Sequence, residues 1–178
     1  MIGTDANADG LREISRRASR KPARGGLPNV LFGRLSLEDA PGELAQLADA
    51  ITVLFPWGSL LRAVAVPECE ALRRLALIGK PGARFRFLHG YGVGREARAV
   101  DELGLPALGD PSTLRALEDA YADAGLRLEA RYVSREEVAL IQTTWAKKIA
   151  FSDHERVFVE LSGISSCAVE ESSLHGTR

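Results

Sequence analysis

The chain has little of several features that mark specialised protein classes. It contains two cysteines in 178 residues, Cys69 and Cys167, which are far apart in sequence and have no metal-ligand spacing. No apolar run reaches the ~18 residues that a membrane-spanning helix needs, and no signal peptide or disulfide framework is evident. We therefore expect a cytoplasmic protein with free thiols, no metal and no membrane segment.

The chain as a whole also lacks an excess of charge of either sign. The 23 basic and 24 acidic side chains give a formal net charge of -1. Any attraction to nucleic acid must then come from local clusters of basic residues. The length and the 46% hydrophobic content predict one soluble domain with a sizeable core.

Strand and helix patterns alternate along the chain, which predicts an α/β fold with a mainly parallel sheet. The predicted strands are 30–34, 50–55, 84–88, 126–133 and 156–162, with 1–4 as a possible sixth. The predicted helices are 8–21, 59–64 with 68–78, 112–124 and 134–150. Asp110 before Pro111 marks one helix start, and Ser134 with Glu137 forms a capping box at another. The polar tail, 165–178, is predicted to be disordered.

The first predicted helix carries an unusual number of basic side chains. Its cations, with those of the loop after it, are Arg12, Arg16, Arg17, Arg20, Lys21 and Arg24. Like charges four residues apart repel each other and weaken a helix. The pattern indicates either contacts with phosphates or an ordinary solvated face.

The chain has only two tryptophans, Trp57 in the run FPWGSLL and Trp145 in TTWAKK. Each follows a feature that redirects the backbone near a predicted sheet edge, and basic residues lie close to both. Aromatic faces with cations nearby suit a nucleobase, whose stacking contributes roughly 1 to 3 kcal/mol. Packing in a hydrophobic core is the alternative interpretation.

A glycine-rich run, FLHGYGVGR, follows the predicted strand 84–88. Its spacing is GxGxG, whereas the dinucleotide-binding fingerprint is GxGxxG and opens a helix. The segment after it, 96–109, is a poor helix that ends in glycine and proline. A phosphate-binding loop and a plain flexible loop are both open interpretations.

Six segments of the chain resemble a known enzyme family. They are residues 5–7, 21–29, 53–61, 80–83, 136–138 and 143–148. The run FPWGSLL and the second tryptophan are the most specific of these marks, and the likeness extends from 3 to 163. The chain resembles the aminoglycoside-resistance rRNA adenine-N1 methyltransferases of the kanamycin and apramycin resistance type.

This resemblance implies a fold and a reaction. The fold is the Rossmann-like α/β sheet of the class I S-adenosylmethionine-dependent methyltransferases, here over residues 1–164. The reaction transfers a methyl group from S-adenosylmethionine to N1 of a decoding-site adenine of 16S rRNA in the 30S ribosomal subunit. Methylation there blocks certain aminoglycosides.

The resemblance also assigns a role to individual residues. Trp57 and Trp145 would stack on the two faces of a flipped adenine and so form the catalytic pair. The cofactor-binding residues would be Asp5 at the ribose hydroxyls, Leu37 and Glu38 at the adenine, and Leu54, Ser59 and Thr143 near the methionine end and target site. The residues implied to meet rRNA phosphates are Arg16, Arg17, Arg20, Lys21, Lys147 and Lys148.

The chemistry implied by the resemblance needs no general base. The N1 lone pair of adenine lies in the ring plane and is unprotonated at neutral pH, so catalysis would consist mainly of positioning, worth roughly 7 to 11 kcal/mol. The resemblance further implies that the chain begins after the first strand and glycine-rich loop, so the domain would lack its first βα unit. An inactive rRNA-binding remnant, and a small-molecule dehydrogenase or nucleotide binder using the GYGVG run, are the alternative functions.

Overall fold

The computed structural model of this protein describes residues 1–66, 69–94 and 96–165. It divides into two compact units, Met1–Gly42 and a larger one beginning at Glu43. The tail that the sequence predicts to be disordered lies, apart from Ser165, outside the described residues. Among those described, no helix is long and apolar enough to span a membrane.

The first unit is built from two parallel strands and one helix. Strand β1 (Ile2–Asp5) leads into α1 (Ala8–Ala18) and then β2 (Leu31–Arg34), which pairs in parallel with β1. Asn7 caps α1 by accepting a hydrogen bond of 2.9 Å from the amide of Asp9. The helix ends at Ala18, three residues before the predicted end at Lys21, whose position before Pro22 disfavours a helical backbone.

The second unit contains a four-stranded sheet and six helices among its described residues. In chain order they are β3 (Ala48–Leu54), α2 (Gly58–Ala65), α3 (Cys69–Ile78), β4 (Gly79–Tyr91), α4 (Ala97–Leu103), α5 (Pro111–Asp123), β5 (Leu126–Val133), α6 (Arg135–Ala139), α7 (Thr144–Ala150) and β6 (Val157–Ser165). The strand order is β3-β4-β6-β5.

The prediction of a mainly parallel sheet is only partly right, because β3, β4 and β5 run in one direction but two of the three strand pairs are antiparallel, so this sheet is mixed. β3 pairs in parallel with β4, whereas β6 runs antiparallel to both β4 and β5. β1 and β3 each keep one edge that no strand in the described part of the chain pairs. The missing first βα unit and the single domain over 1–164 both stay predictions.

One face of β4 forms the centre of the core. Phe85, Phe87, His89 and Tyr91 alternate along this strand and are all buried. The ring of Phe87 lies 5.8 Å from that of Tyr121 on α5, whose hydroxyl donates a hydrogen bond of 2.9 Å to a carbonyl of α2. These two contacts hold α2 and α5 against the sheet.

Two predictions of helices are corrected. The single helix predicted over 134–150 is two short helices, because Thr143 has an extended backbone and caps α7 instead of continuing α6. The segment judged a poor helix contains α4, which ends at Gly104 in a left-handed conformation (φ 61°). Local patterns missed α4 because its anchor is an ion pair between Glu96 and Arg156, distant in sequence.

Candidate functional site

Trp57 lies in a sharp turn between β3 and α2. Phe55, two residues earlier, has a positive φ of 50°, and Gly58 after the tryptophan has a φ of 61°. The amide of Phe55 still donates a hydrogen bond of 2.7 Å to the carbonyl of Leu88, which holds the turn against β4. Trp57 itself is extended and 57% exposed. The backbone therefore directs this indole toward solvent at the carboxyl end of β3.

Trp145 lies in the first turn of α7. Thr143 caps the helix by accepting a hydrogen bond of 3.0 Å from the amide of Ala146. The indole is 53% exposed, and the ammonium nitrogen of Lys148 lies 5.4 Å from its ring centroid. A cation at this distance interacts favourably with the ring face.

The two tryptophan segments share one apolar cluster. Its buried members are Leu88, Val133, Val138, Ala146, Ile149, Ala150 and Phe158, and the partly buried Leu54, Phe55, Ala139 and Ile141 pack against it. The cluster therefore contains residues of α7 and, at its margin, Leu54, which ends β3, and Phe55, which follows it. Both exposed indoles are mounted on a common buried base.

Ion pairs fix the start of α6 to the same sheet. Ser134 and Glu137 form the predicted capping box. The hydrogen bond from the Ser134 amide, followed by that from Arg131, lowers the pKa of the Glu137 carboxyl. Arg131 also donates to the buried Glu160, which is paired with Arg86 at 2.6 Å. The network joins β4, β5 and β6 to α6, the helix before the one that carries Trp145.

Asp5, Leu37 and Glu38 are gathered at the carboxyl edge of the first unit's parallel strands. Asp5 ends β1, and its side chain accepts a hydrogen bond of 2.8 Å from the amide of Asn7. Leu37, partly buried, and Glu38, exposed, follow β2 in a turn closed by a hydrogen bond from Ser36 to Asp39. One carboxylate oxygen of Asp5 remains to accept from a ribose hydroxyl, and Leu37 offers an apolar contact, so this edge suits a nucleoside.

The remaining predicted cofactor residues lie in the second unit. Leu54 is partly buried at the end of β3, and Ser59 is exposed in the first turn of α2. Thr143 uses its hydroxyl as the α7 cap. All three thus border the turns that carry Trp57 and Trp145.

The predicted phosphate-contacting cations are exposed in both units. Arg16 is paired with Glu13 at 2.7 Å. By contrast, Arg17, Arg20 and Lys21 form no ion pair with any described residue. Arg20 and Lys21 lie beyond the end of α1, which corrects their placement on the helix. Lys147 and Lys148 occupy the last turn of α7.

The glycine-rich run packs against carboxylates. A Cβ atom on Gly92 would lie 2.8 Å from an oxygen of Asp153, and one on Gly94 would lie 2.4 Å from an oxygen of Glu155. These glycines therefore allow close contact with the loop after α7. Two acidic side chains at this position repel phosphate, which argues against a dinucleotide-binding loop.

Two features of the site escape sequence reasoning, namely the left-handed backbone of Phe55 and the close packing of the glycine run. A bulky residue in the left-handed region has no sequence signal. The Pro56–Gly58 pair that brackets Trp57 does indicate a turn. The part of the chain that the structure describes contains no cluster of three or more potential metal ligands.

Comparison with known proteins identifies the family. The family model described as NpmA, 16S rRNA (adenine(1408)-N(1))-methyltransferase, matches residues 1–164. An Escherichia coli protein named 16S rRNA (adenine(1408)-N(1))-methyltransferase is 35% identical over 167 residues, which are 91% of this chain and 74% of that protein.

Solved structures agree with this match. The 16S rRNA methyltransferase KamB superposes with a TM-score of 0.79 at 34% identity, over 93% of this chain and 76% of its own. A variant of the 16S rRNA (adenine(1408)-N(1))-methyltransferase from Catenulisporales acidiphilia, crystallised with SAM, superposes with a TM-score of 0.80 at 30% identity, over 95% and 76%. The chain therefore belongs to the NpmA family of 16S rRNA adenine-N1 methyltransferases, as the residues around its two tryptophans predict.

Proposed function

We propose that this chain transfers a methyl group from S-adenosylmethionine to N1 of the decoding-site adenine of 16S rRNA and so confers aminoglycoside resistance. The relatives named for this reaction at position 1408 support the proposal. The structural observation that carries it is the mounting of two exposed indoles, Trp57 and Trp145, on one buried cluster. The substrate would be the rRNA within the 30S subunit, and the reaction would take place in the cytoplasm.

In this proposal the two indoles bind the faces of the target base. Stacking on both faces of a flipped adenine leaves its edge, including the N1 lone pair, free for reaction. Lys148 lies over the ring of Trp145, and the base would stack on the part of the indole that this cation leaves open. Since each indole is about half exposed, stacking requires no large rearrangement of the core.

The described residues fit the nucleoside part of the cofactor. S-Adenosylmethionine, when bound, supplies an electrophilic methyl group on a sulfonium. Asp5 would accept hydrogen bonds from the ribose hydroxyls, and Leu37 and Glu38 would border the adenine. Leu54, Ser59 and Thr143 would lie near the methionine end and the target base.

The chain's own contribution to catalysis is positioning and charge stabilisation. N1 is already unprotonated, so no residue has to remove a proton from it before transfer. The methylated base is cationic, and aromatic rings on its two faces favour the developing charge. Holding the base in line contributes roughly 7 to 11 kcal/mol when the reacting atoms are well placed.

The cations would bind the rRNA backbone. Arg17, Arg20 and Lys21 are exposed and have no acidic partner in the described part of the chain, so they are available to phosphates. Arg16, Lys147 and Lys148 would add to this contact. Phosphate contacts give affinity and register without reading the base sequence.

The test is transfer of a labelled methyl group from S-adenosylmethionine to purified 30S subunits, with calorimetry of cofactor binding in parallel. The expected result is cofactor binding and stable labelling of 16S rRNA, both lost in Asp5→Ala. Salt-sensitive binding to 30S subunits without cofactor binding or labelling would contradict the proposal. Such a result would instead support the alternative function, an inactive remnant that binds rRNA.

A further inference from the structure

Arg135, the first residue of α6, donates hydrogen bonds to four backbone carbonyls. One guanidinium nitrogen, Nη1, donates to the carbonyl of Ala150 at 3.0 Å and to that of Asp153 at 2.5 Å. The other, Nη2, donates to His154 and, at 3.2 Å, to Arg156. The partly buried side chain therefore reaches from the start of α6 to the end of α7 and to the part of the loop that leads up to β6.

The helix that carries Trp145 needs such support. α7 has seven residues, and helices shorter than about 12 to 15 residues are marginal in isolation. Its amino end has the Thr143 cap. Its carboxyl end exposes carbonyls that carry partial negative charge, and a guanidinium placed there satisfies and neutralises them. Arg135 is positioned to do this for Ala150, the last residue of the helix.

The loop that accepts hydrogen bonds from Arg135 also contacts residues that follow β4. Arg156 pairs with Glu96, and Glu96 accepts a hydrogen bond of 3.0 Å from the amide of Gly92 at the end of β4. The side chains of Arg156 and Glu96 are 10% and 15% exposed. Arg135 thus completes a chain of contacts from α7 through the 153–156 loop to the end of β4.

We propose that Arg135 is a positioning residue of the methyltransferase site, which holds α7 and its tryptophan in register by clamping the carbonyls of Ala150 and the 153–156 loop. This inference deepens the proposed function and rests on it. Arg135 acts through Trp145 and does not touch the substrate. The planar guanidinium is required, because its fixed fork of donors reaches four carbonyls that the single ammonium of a lysine cannot satisfy together.

The test compares Arg135→Ala, Arg135→Lys and the control Arg98→Ala in the full chain. Arg98 is a 91% exposed arginine paired with Glu102 on α4, so its loss removes a guanidinium at the surface only. In a Trp57→Phe background Trp145 is the only tryptophan, and its anisotropy decay reports local motion of α7. Amide exchange over 151–156, thermal unfolding and methyl-transfer kinetics on 30S subunits complete the comparison, with Trp57 retained for the kinetics.

The expected result for Arg135→Ala is faster Trp145 depolarisation, faster exchange over 151–156, and a kcat lowered about 10- to 100-fold with cofactor affinity unchanged. For Arg135→Lys, the depolarisation rate, the exchange rate and kcat should lie between those of Arg135→Ala and the unmodified chain. Arg98→Ala should match the unmodified chain in all three. Unchanged depolarisation, or altered depolarisation with unchanged kcat, overturns the inference. If Arg135→Ala does not fold, the same outcomes are read from Arg135→Lys. If the unmodified chain transfers no methyl group, the proposed function fails, while depolarisation and exchange still decide whether the clamp exists.

Discussion

Phe55 packs edge to face against Phe158, with ring centroids 6.4 Å apart and planes inclined by 82°. Phe158 belongs to the buried cluster that includes Ala146 and Ile149 of α7. Phe55 precedes Trp57 by two residues and packs against this cluster. One aromatic contact therefore links the turn that carries the first tryptophan to the base of the helix that carries the second.

Replacing Phe55 tests whether its left-handed backbone is strained. A φ of 50° costs an L-residue roughly 1 to 2 kcal/mol and costs glycine little. Phe55→Ala and Phe55→Gly both lose the ring, but only the alanine variant keeps the strain. The free energy of unfolding of Phe55→Gly, measured by urea titration, should therefore exceed that of Phe55→Ala by about 1 kcal/mol. At neighbouring Leu54, which lacks a positive φ, the order should reverse. A glycine variant less stable than alanine at position 55 contradicts the assignment of strain.

Removing either indole should impair methyl transfer without unfolding the protein. Trp57→Ala and Trp145→Ala each lose one stacked face, worth roughly 1 to 3 kcal/mol, so single-turnover rates should fall by about 5- to 150-fold. Because both indoles are about half exposed, urea unfolding should change little. Leu77→Ala, at a 41% exposed leucine of α3, is the control. Wild-type rates in either tryptophan variant argue against the stacked pair.

His89 should make the stability of the protein sensitive to acid. It is fully buried, both ring nitrogens lack a hydrogen-bond partner among the described residues, and burial lowers its pKa from 6.5 to about 4. The unfolded chain therefore binds the proton more readily. The stability from neutral His89 is complete above pH 6.5 and is lost progressively as pH falls toward 4.

Urea titrations measure this effect. Between neutral pH and about pH 5 the free energy of unfolding should fall by about 2 kcal/mol on account of His89. His89→Leu, which fills the site with an apolar side chain, should remove that component. An equal loss of stability in His89→Leu would assign the acid sensitivity to other groups.

The exposed cations should determine how salt affects binding to the 30S subunit. Arg17→Gln and Arg20→Gln should each weaken binding and reduce the slope of log affinity against log salt by about 1. Arg16→Gln should have a smaller effect, because Glu13 already offsets its charge at 2.7 Å. Arg98→Gln serves as the surface control, and calorimetry should show unaltered cofactor affinity. Slopes equal to that of the unmodified chain would remove these arginines from the interface.

Local signals were sufficient for part of this fold. The caps at Asp110 and Ser134 were predicted and are present, because a cap is a contact between residues two or three positions apart. The motifs around Trp57 and Trp145 predict a functional role for both indoles. The structure leaves both exposed, on segments that pack against one buried cluster. Their contact with a base stays a prediction.

Contacts between distant residues account for what the sequence could not predict. α4 depends on the pair Glu96 and Arg156, which lie 60 positions apart. The clamp of Arg135 uses backbone carbonyls, which every residue possesses, so no motif marks it. The break between α6 and α7 follows from the Thr143 cap, whose pattern was hidden within a run of helix-compatible residues.

The position of the transferred methyl group tests the account most directly. After reaction of 30S subunits with the chain and S-adenosylmethionine, mass spectrometry of the nucleosides and a reverse-transcription map of 16S rRNA locate the modification. The account predicts N1-methyladenosine at one decoding-site adenine, lost when Trp57 and Trp145 are both replaced by alanine. A methyl group on the exocyclic amine, at several adenines, or transferred equally well without the two indoles would contradict it.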